Sequence, residues 1–329
     1  MTERTKALAC LQDRFECICS KEMESIDRVN AALYEGALEY FLSNAFTWVE
    51  TPTITRITGA CENVDTLYAL DHFGCEAFLA QTGQLYLEAK IPLHEKVWTV
   101  MTSSRAEPRT DDRHLNQFTL VEFERQGDFE LMLHTIEGIV HAMVKSALKK
   151  ARADLDALGC TERCESYLEP FQRITYTDAI TLCGLPWGSD LKHEDEMRVI
   201  EEHGGKPVFI THFPQEIKFF NMRLNRDNPA VVNSADLIMP FSGESAGSAE
   251  RENDYETLVK RLLESNMYAI LSKRGVTIEE FQGYLNIVKS NPVLHCGAGI
   301  GFARISQSIL GFSDIKKTTN YPLTSQSLY

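Results

Sequence analysis

The stretch Ser104-Arg105-Ala106-Glu107, continued after a polar loop by Arg113-His114-Leu115-Asn116-Gln117-Phe118-Thr119-Leu120-Val121-Glu122, concentrates cations beside an aromatic ring. Residues 97–102 and 117–124 are rich in β-branched and aromatic side chains, and the loop between them is polar, so the stretch reads as two antiparallel strands around a charged tip. Arg105, Arg113 and His114 suit the phosphates of a nucleotide triphosphate, and Phe118 offers a face for its base. The same residues can also be read as an ordinary hairpin with a solvated tip.

Upstream, Val29, Ala32, Leu33, Ala37, Tyr40 and Phe41 recur every three or four residues and predict an amphipathic helix over 21–43. It leads into an alternating strand, 46–51, that stops at Pro52, whose missing N–H forbids a central ladder position. A further strand is predicted near 78–80. Downstream, Met132, Ile136, Val140, Met143 and Leu148 keep a helical period over 129–158, with Gly159 as the stop. Beyond it the pattern gives a short helix from Thr177, an acidic helix over 193–203 and strands near 207–213, 217–224 and 231–240. Helices at 253–265 and 278–289 and a final strand, Val293 to Cys296, complete it. Runs of strands broken by segregated helices, without βαβ alternation, predict an α+β fold on an antiparallel sheet flanked by helices. No repeat or low-complexity linker divides residues 1–329, which are expected to form one catalytic domain with a helical N-terminal region over 1–44.

Two more segments are candidates. Gly297-Ala298-Gly299-Ile300-Gly301-Phe302-Ala303-Arg304 reads as a glycine-rich turn from strand to helix, where backbone approaches a ligand closely and the arginine reaches a phosphate. It lies far too late in the chain for a Rossmann fingerprint. Asp236 and Glu244 form a carboxylate pair of the kind that anchors Mg²⁺, although a surface acidic loop has the same composition.

Composition narrows the function. There are 33 Lys and Arg against 47 Asp and Glu, a formal net charge of −14 that disfavours general binding to phosphate backbones and hence DNA. Nine cysteines without CxxC spacing suggest neither a disulfide framework nor a zinc ribbon, and Cys160 and Cys164 lack a second ligand pair. Apolar runs are far short of the roughly 20 residues that span a bilayer, and the N-terminus has no signal-like apolar core, so a cytoplasmic protein is expected.

The helix, strand and Pro52, then Arg105 to Glu122, then Gly297 to Arg304, resemble in order and spacing the three signature motifs of class II aminoacyl-tRNA synthetases. Gln81-Thr82-Gly83-Gln84-Leu85-Tyr86-Leu87-Glu88, Trp187-Gly188-Ser189-Asp190-Leu191, Lys218-Phe219-Phe220-Asn221-Met222-Arg223 and Gly243-Glu244 are similar to the asparaginyl and aspartyl branch. The resemblance covers about residues 22 to 323.

The resemblance implies ATP and Mg²⁺ as cofactors. Arg105 would touch the α-phosphate, Arg113 and His114 the outer phosphates, Phe118 the adenine and Arg304 the γ-phosphate. Glu107, Gly299 and Gly301 would complete the ATP site, and Asp236 and Glu244 would hold the metal. Arg105 and Arg304 would be the catalytic cations. The amino acid's ammonium would meet Glu62, Gln81 and Gln84. Glu88, after Leu87, looks like the asparaginyl version, in which the carboxylate accepts from a carboxamide N–H and repels an aspartate side chain. Arg223 and Arg251 would donate to the substrate's amide or carboxylate oxygen. A homodimer built on the first motif is implied as well.

Several positions depart from the pattern. Asn116-Gln117 stand in place of Pro-Glu, Ser248-Ala249-Glu250 in place of Gly-Ser-Gln, and Tyr321-Pro322-Leu323 in place of Phe-Pro-Arg. The family's N-terminal anticodon-binding barrel, roughly a hundred residues, has no counterpart here, which with the negative charge argues against charging tRNA. The leading expectation is therefore an AMP-forming ligase that activates aspartate and amidates it to asparagine or a related amide, as truncated archaeal asparagine synthetase-like relatives do. The alternatives are activation of asparagine with transfer to RNA or an amine, and a non-catalytic binder of amino acid and ATP.

Overall fold

The structure, a computed structural model, describes residues 14–57 and 64–328. The first helix, Lys21–Ser43, begins where the Ser20 hydroxyl accepts from the Met23 N–H, satisfying one orphan donor of the first turn. Its apolar stripe, Met23, Ile26, Val29, Leu33, Ala37 and Phe41, is buried against the helix Phe129–Lys150. Gly36 allows the close crossing, because a Cβ there would stand 2.5 Å from the Ala142 carbonyl oxygen. The predicted stripe is thus core of this chain, and each side chain so buried contributes about 1.5–3 kcal/mol.

Eight strands form the main sheet in the order β1-β5-β6-β11-β10-β9-β8-β7. They are β1 (Thr47–Trp48), β5 (Lys96–Ser104), β6 (Gln117–Gln126), β7 (Gln172–Thr175), β8 (Val208–Thr211), β9 (Ser234–Met239), β10 (Gly243–Glu250) and β11 (His295–Gly301). Its centre is antiparallel as expected, but the end pairs β1/β5 and β7/β8 are parallel. A small second sheet, β2 (Ile54–Thr55), β4 (Cys75–Leu79) and β3 (Ala69–His72), lies outside it. One face of the main sheet, through Val121, Phe123, Leu237 and Ala298, packs on the two long helices, and the other carries Glu122, Glu124 and Asp236.

Three expectations are corrected. The glycine-rich stretch after Cys296 is not a turn but strand β11, hydrogen-bonded between β6 and β10. Residues 217–224 form no strand: a short 3₁₀ turn, Gln215–Ile217, is followed by isolated bridges Met222↔Arg251 and Leu224↔Val232. The helix over 129–158 breaks at Ala151 (φ −128°), after which Arg152–Ala157 is a separate turn of helix, while Gly159 takes the left-handed φ of 68° foreseen for it. A helix at Asn266–Lys273 went unread because its apolar stripe is short.

Candidate functional site

Strand register decides what faces what. Asp236 on β9 lies opposite Gly247 on β10, Gly247 opposite Gly299 on β11, and Gly299 opposite Glu122 on β6. Two glycines therefore floor a row with carboxylates at both ends. Glycine in a strand costs stability because it packs nothing and loses more chain entropy, and here its return is space. A Cβ at Gly247 would sit 3.3 Å from Glu244 Oε1 and 3.8 Å from Asp236 Oδ1, which places both carboxylates over one spot. At Gly297 the demand is steric, since a Cβ would collide with the Glu124 carboxylate, 2.1 Å away.

Above this floor opens a cavity of about 690 Å³ lined by Arg105, Glu107, Arg113, His114 and Phe118 from the hairpin, Asp236, Glu244 and Gly247 from the sheet, and Gly299, Gly301 and Arg304 from the third segment. Every residue expected at the ATP and metal sites is thus on one wall or another. The Arg105 guanidinium lies 4.9 Å from the Phe118 ring centroid. Arg113 Nη2 donates to Glu196 Oε2 at 2.8 Å, and His114 Nδ1 shares a 2.7 Å bond with Asp111 Oδ2. Asp111 also takes the backbone N–H groups of Arg113 and His114, so the loop tip is rigidly folded. Arg304, one turn into the helix Phe302–Leu310, donates through Nη1 to the carbonyls of Ser242 at 2.6 Å and Glu244 at 3.1 Å. Burial and the like charges of Arg113 and Arg105 push Arg304 down to about 10, against the pull of Glu196 and Glu244. Guanidinium groups from distant segments thus converge on one cavity, where a polyanion would offset their like charge.

Three residues without an assigned role in the sequence complete this wall. Glu196, on the acidic helix His193–Glu202, ties Arg113 and accepts from the Glu244 N–H at 3.3 Å. Lys218 Nζ lies 2.6 Å from Asp236 Oδ2, and Asp190 lines the same cavity. Burial lowers the Lys218 ammonium, but Asp236, Glu244 and Asp190 outweigh it and hold it above its ordinary value. Asp236 is pushed up to about 7, chiefly by burial and then by Glu244, against Lys218. Among the described residues no group of three or more His, Cys, Asp or Glu could hold a metal by protein ligands alone. Two carboxylates over a glycine floor do fit Mg²⁺, which takes one or two carboxylates and fills its shell with substrate phosphates and water.

The residues expected around the amino acid form a buried network beside this cavity. Glu122 accepts from the Thr82 hydroxyl at 2.5 Å and the Gly83 N–H at 2.8 Å, and so fixes the turn that starts the helix Gln84–Glu88. Arg251 donates to Glu124 Oε1 at 2.6 Å and to Gln84 Oε1 at 2.9 Å. Glu88 Oε1 accepts from Asn221 Nδ2 at 2.7 Å and Oε2 from the Tyr284 hydroxyl at 2.8 Å, with His295 Nε2 3.4 Å away. Burial alone would raise the Glu88 carboxyl, but His295, Arg251 and Tyr284 outweigh it and hold it below its usual range. Glu124 goes the other way, up to about 7, because burial exceeds what Arg251 returns and the Glu88 charge adds to it. Gln81 is fully buried and donates to the Thr66 hydroxyl at 3.2 Å.

Arg223 does not join this network: its Nη1 bonds Glu250 Oε1 at 2.9 Å, and Asn233 holds the other oxygen. Glu250, one of the departures, thus captures the arginine expected to face substrate. Glu62 lies outside the described residues. Asn116 has a structural reason, donating to the Tyr68 hydroxyl and the Glu107 carbonyl while its N–H meets the Leu323 carbonyl. Ala249 packs against Met222 and Val232.

An antiparallel sheet that carries a cation-walled cavity, with two carboxylates over its glycine floor and a buried polar network beside it, has the architecture of a class II synthetase-type fold. The description "tRNA synthetases class II (D, K and N)" matches residues 8–325, and the chain belongs to that family. It is an ATP-dependent ligase of the class II aminoacyl-tRNA synthetase type, close to the asparaginyl enzymes. Asparagine–tRNA ligase of Thermococcus kodakarensis is 33% identical over 319 residues, 94% of this chain and 71% of the relative. That of Desulforamulus reducens is 34% identical over 313 residues, 93% and 70% of the two chains. The structure of asparaginyl-tRNA synthetase from Pyrococcus horikoshii complexed with asparaginyl-adenylate superposes with a TM-score of 0.88 at 29% identity, covering 96% of this chain and 72% of that one. Aspartyl tRNA synthetase from Entamoeba histolytica, at 23% identity and a TM-score of 0.74, shares the fold.

Proposed function

We propose that this chain activates asparagine as asparaginyl-adenylate. The observation that carries the reading is Glu88: a buried carboxyl that accepts from Asn221 and Tyr284 and that His295, Arg251 and Tyr284 hold below its usual range against the effect of burial. Such a group accepts a carboxamide N–H and repels a carboxylate. Arg105, Arg113, His114 and Arg304 bind the triphosphate, and Phe118 gives its second face to adenine. The asparagine carboxylate attacks the α-phosphorus, a C–O–P bond forms, and the bond to the departing pyrophosphate breaks. These cations act by orienting the reactants and by stabilising charge as it develops. Asp236 and Glu244 would hold Mg²⁺, which when bound would add to the neutralisation of the phosphates.

Amidation of aspartate stands second. It needs a cation opposite the substrate's second carboxylate, yet Arg251 is committed to Glu124 and Gln84 and Arg223 to Glu250. Pyrophosphate exchange into ATP decides between them: exchange with asparagine and not aspartate supports the first reading, and ammonium-dependent formation of asparagine from aspartate overturns it. Adding tRNA or a simple amine to the preformed adenylate identifies the acceptor. In Glu88→Gln the loss of a charged acceptor, worth about 1.5–3 kcal/mol, should lower kcat/KM for asparagine by about 10–150-fold; an unchanged value would show that Glu88 does not touch the side chain.

A homodimer is proposed as well. With the stripe of the first helix spent in the core, exposed apolar side chains at this end include Leu42 and Trp48, the latter 57% exposed on the edge strand β1. Gel filtration of the wild type and Trp48→Glu should show a dimer that the variant weakens; two monomer peaks would refute it.

A further inference from the structure

Lys218 touches the carboxylate expected to hold the metal, in a partly enclosed position. Its ammonium lies 2.6 Å from Asp236 Oδ2 and 3.9 Å from the Phe213 ring centroid, and the side chain is only 15% exposed. The nearby cations are spent elsewhere: Arg113 on Glu196, and Arg304 on the backbone carbonyls of Ser242 and Glu244. Lys218 is therefore the cation paired with the Asp236 carboxylate.

We propose that Lys218 is the resident counter-ion of the Asp236 and Glu244 pair and makes divalent-metal binding conditional on nucleotide; this rests on the reading of that pair as the metal-holding one. A bare dication entering the empty site must break the Lys218 ion pair in a partly desolvated position, and gains only two carboxylates in return. A dication arriving on a triphosphate brings phosphate oxygens as further ligands, and the same phosphates give the displaced ammonium a new partner. Lys218 thus releases Asp236 only when the negative charge of the nucleotide is present. This would keep the carboxylates neutralised between turnovers and exclude stray ions from them.

The test measures protein-bound Mn²⁺ by equilibrium dialysis, as the excess of the ion on the protein side, with and without a non-hydrolysable ATP analogue on both sides. Without nucleotide, wild type and Lys218→Arg should bind Mn²⁺ weakly, while Lys218→Met and Lys218→Gln should bind it about tenfold more tightly, since the competing charge is gone. With the analogue present all four should bind. If both neutral variants bind Mn²⁺ no better than wild type without nucleotide, while the analogue still recruits the ion, the counter-ion role is refuted and the metal reading stands. If the analogue recruits Mn²⁺ to none of the four, Asp236 and Glu244 are not the metal site and both ideas fall. Melting curves confirm folding, and either neutral variant suffices if the other is unstable.

Discussion

Arg304→Ala is expected to cut adenylate formation by about 10²–10³-fold, the usual loss when one preorganised donor to developing charge is removed, with the melting temperature little changed. The cation reaches the cavity from the helix Phe302–Leu310, opposite the hairpin that carries Arg105 and Arg113. Its own anchors are two backbone carbonyls, which water can satisfy once the side chain is gone. Burial and the like charges of Arg113 and Arg105 work against the charged form, in opposition to Glu196 and Glu244, so binding and turnover should suffer far more than stability. Pyrophosphate exchange and calorimetric ATP titration check this. Exchange at the wild-type rate would mean that the third segment does not serve the triphosphate.

Arg251→Met should be the most destabilising single change, by about 3–5 kcal/mol, because removing one partner of a buried ion pair leaves uncompensated charge. The guanidinium is 1% exposed; it bonds Glu124 and lies 3.7 Å from Glu88 Oε1. Its loss strands two buried carboxylates. Urea unfolding measures the effect, and pH gives it a signature. A carboxyl raised in the folded state, as Glu124 is to about 7, binds its proton more tightly folded than unfolded. Its contribution is present below the ordinary carboxylate range and is lost as pH rises through 7. Without Arg251 that loss should steepen, so the variant should recover part of its deficit on going from pH 8 to pH 6. A deficit that does not change with pH would place its cause in packing.

The site was legible in the sequence to different depths. Arg105, Arg113, His114 and Phe118 could be read together because they sit on one hairpin, where strand alternation and a short loop already restrict which side chains meet. Gly299, Gly301 and Arg304 were found as a set, yet as a turn, because a run of glycines carries no periodic pattern that distinguishes a central strand. Glu196, Lys218, Asn221, Tyr284 and His295 were missed as contributors for a different reason. Each is an ordinary polar residue in its own segment, and its role comes from a partner far away: Glu196 from Arg113, Lys218 from Asp236, and the last three from Glu88. Arg223 is the converse case, since its pairing with Glu250 is not legible from its own segment.

From residue order alone follow the α+β class, the apolar stripes of the two long helices, the hairpin of cations and the inventory of carboxylates and glycines, because these depend on period and short-range sterics. Tertiary structure decided the rest: that Asp236, Gly247, Gly299 and Glu122 form one row across four strands, that three guanidinium groups share a cavity, and that the Glu88 carboxyl is held below its usual range while that of Glu124 is pushed above it. Strand pairing and burial set those properties, and both depend on which distant segments fold against each other.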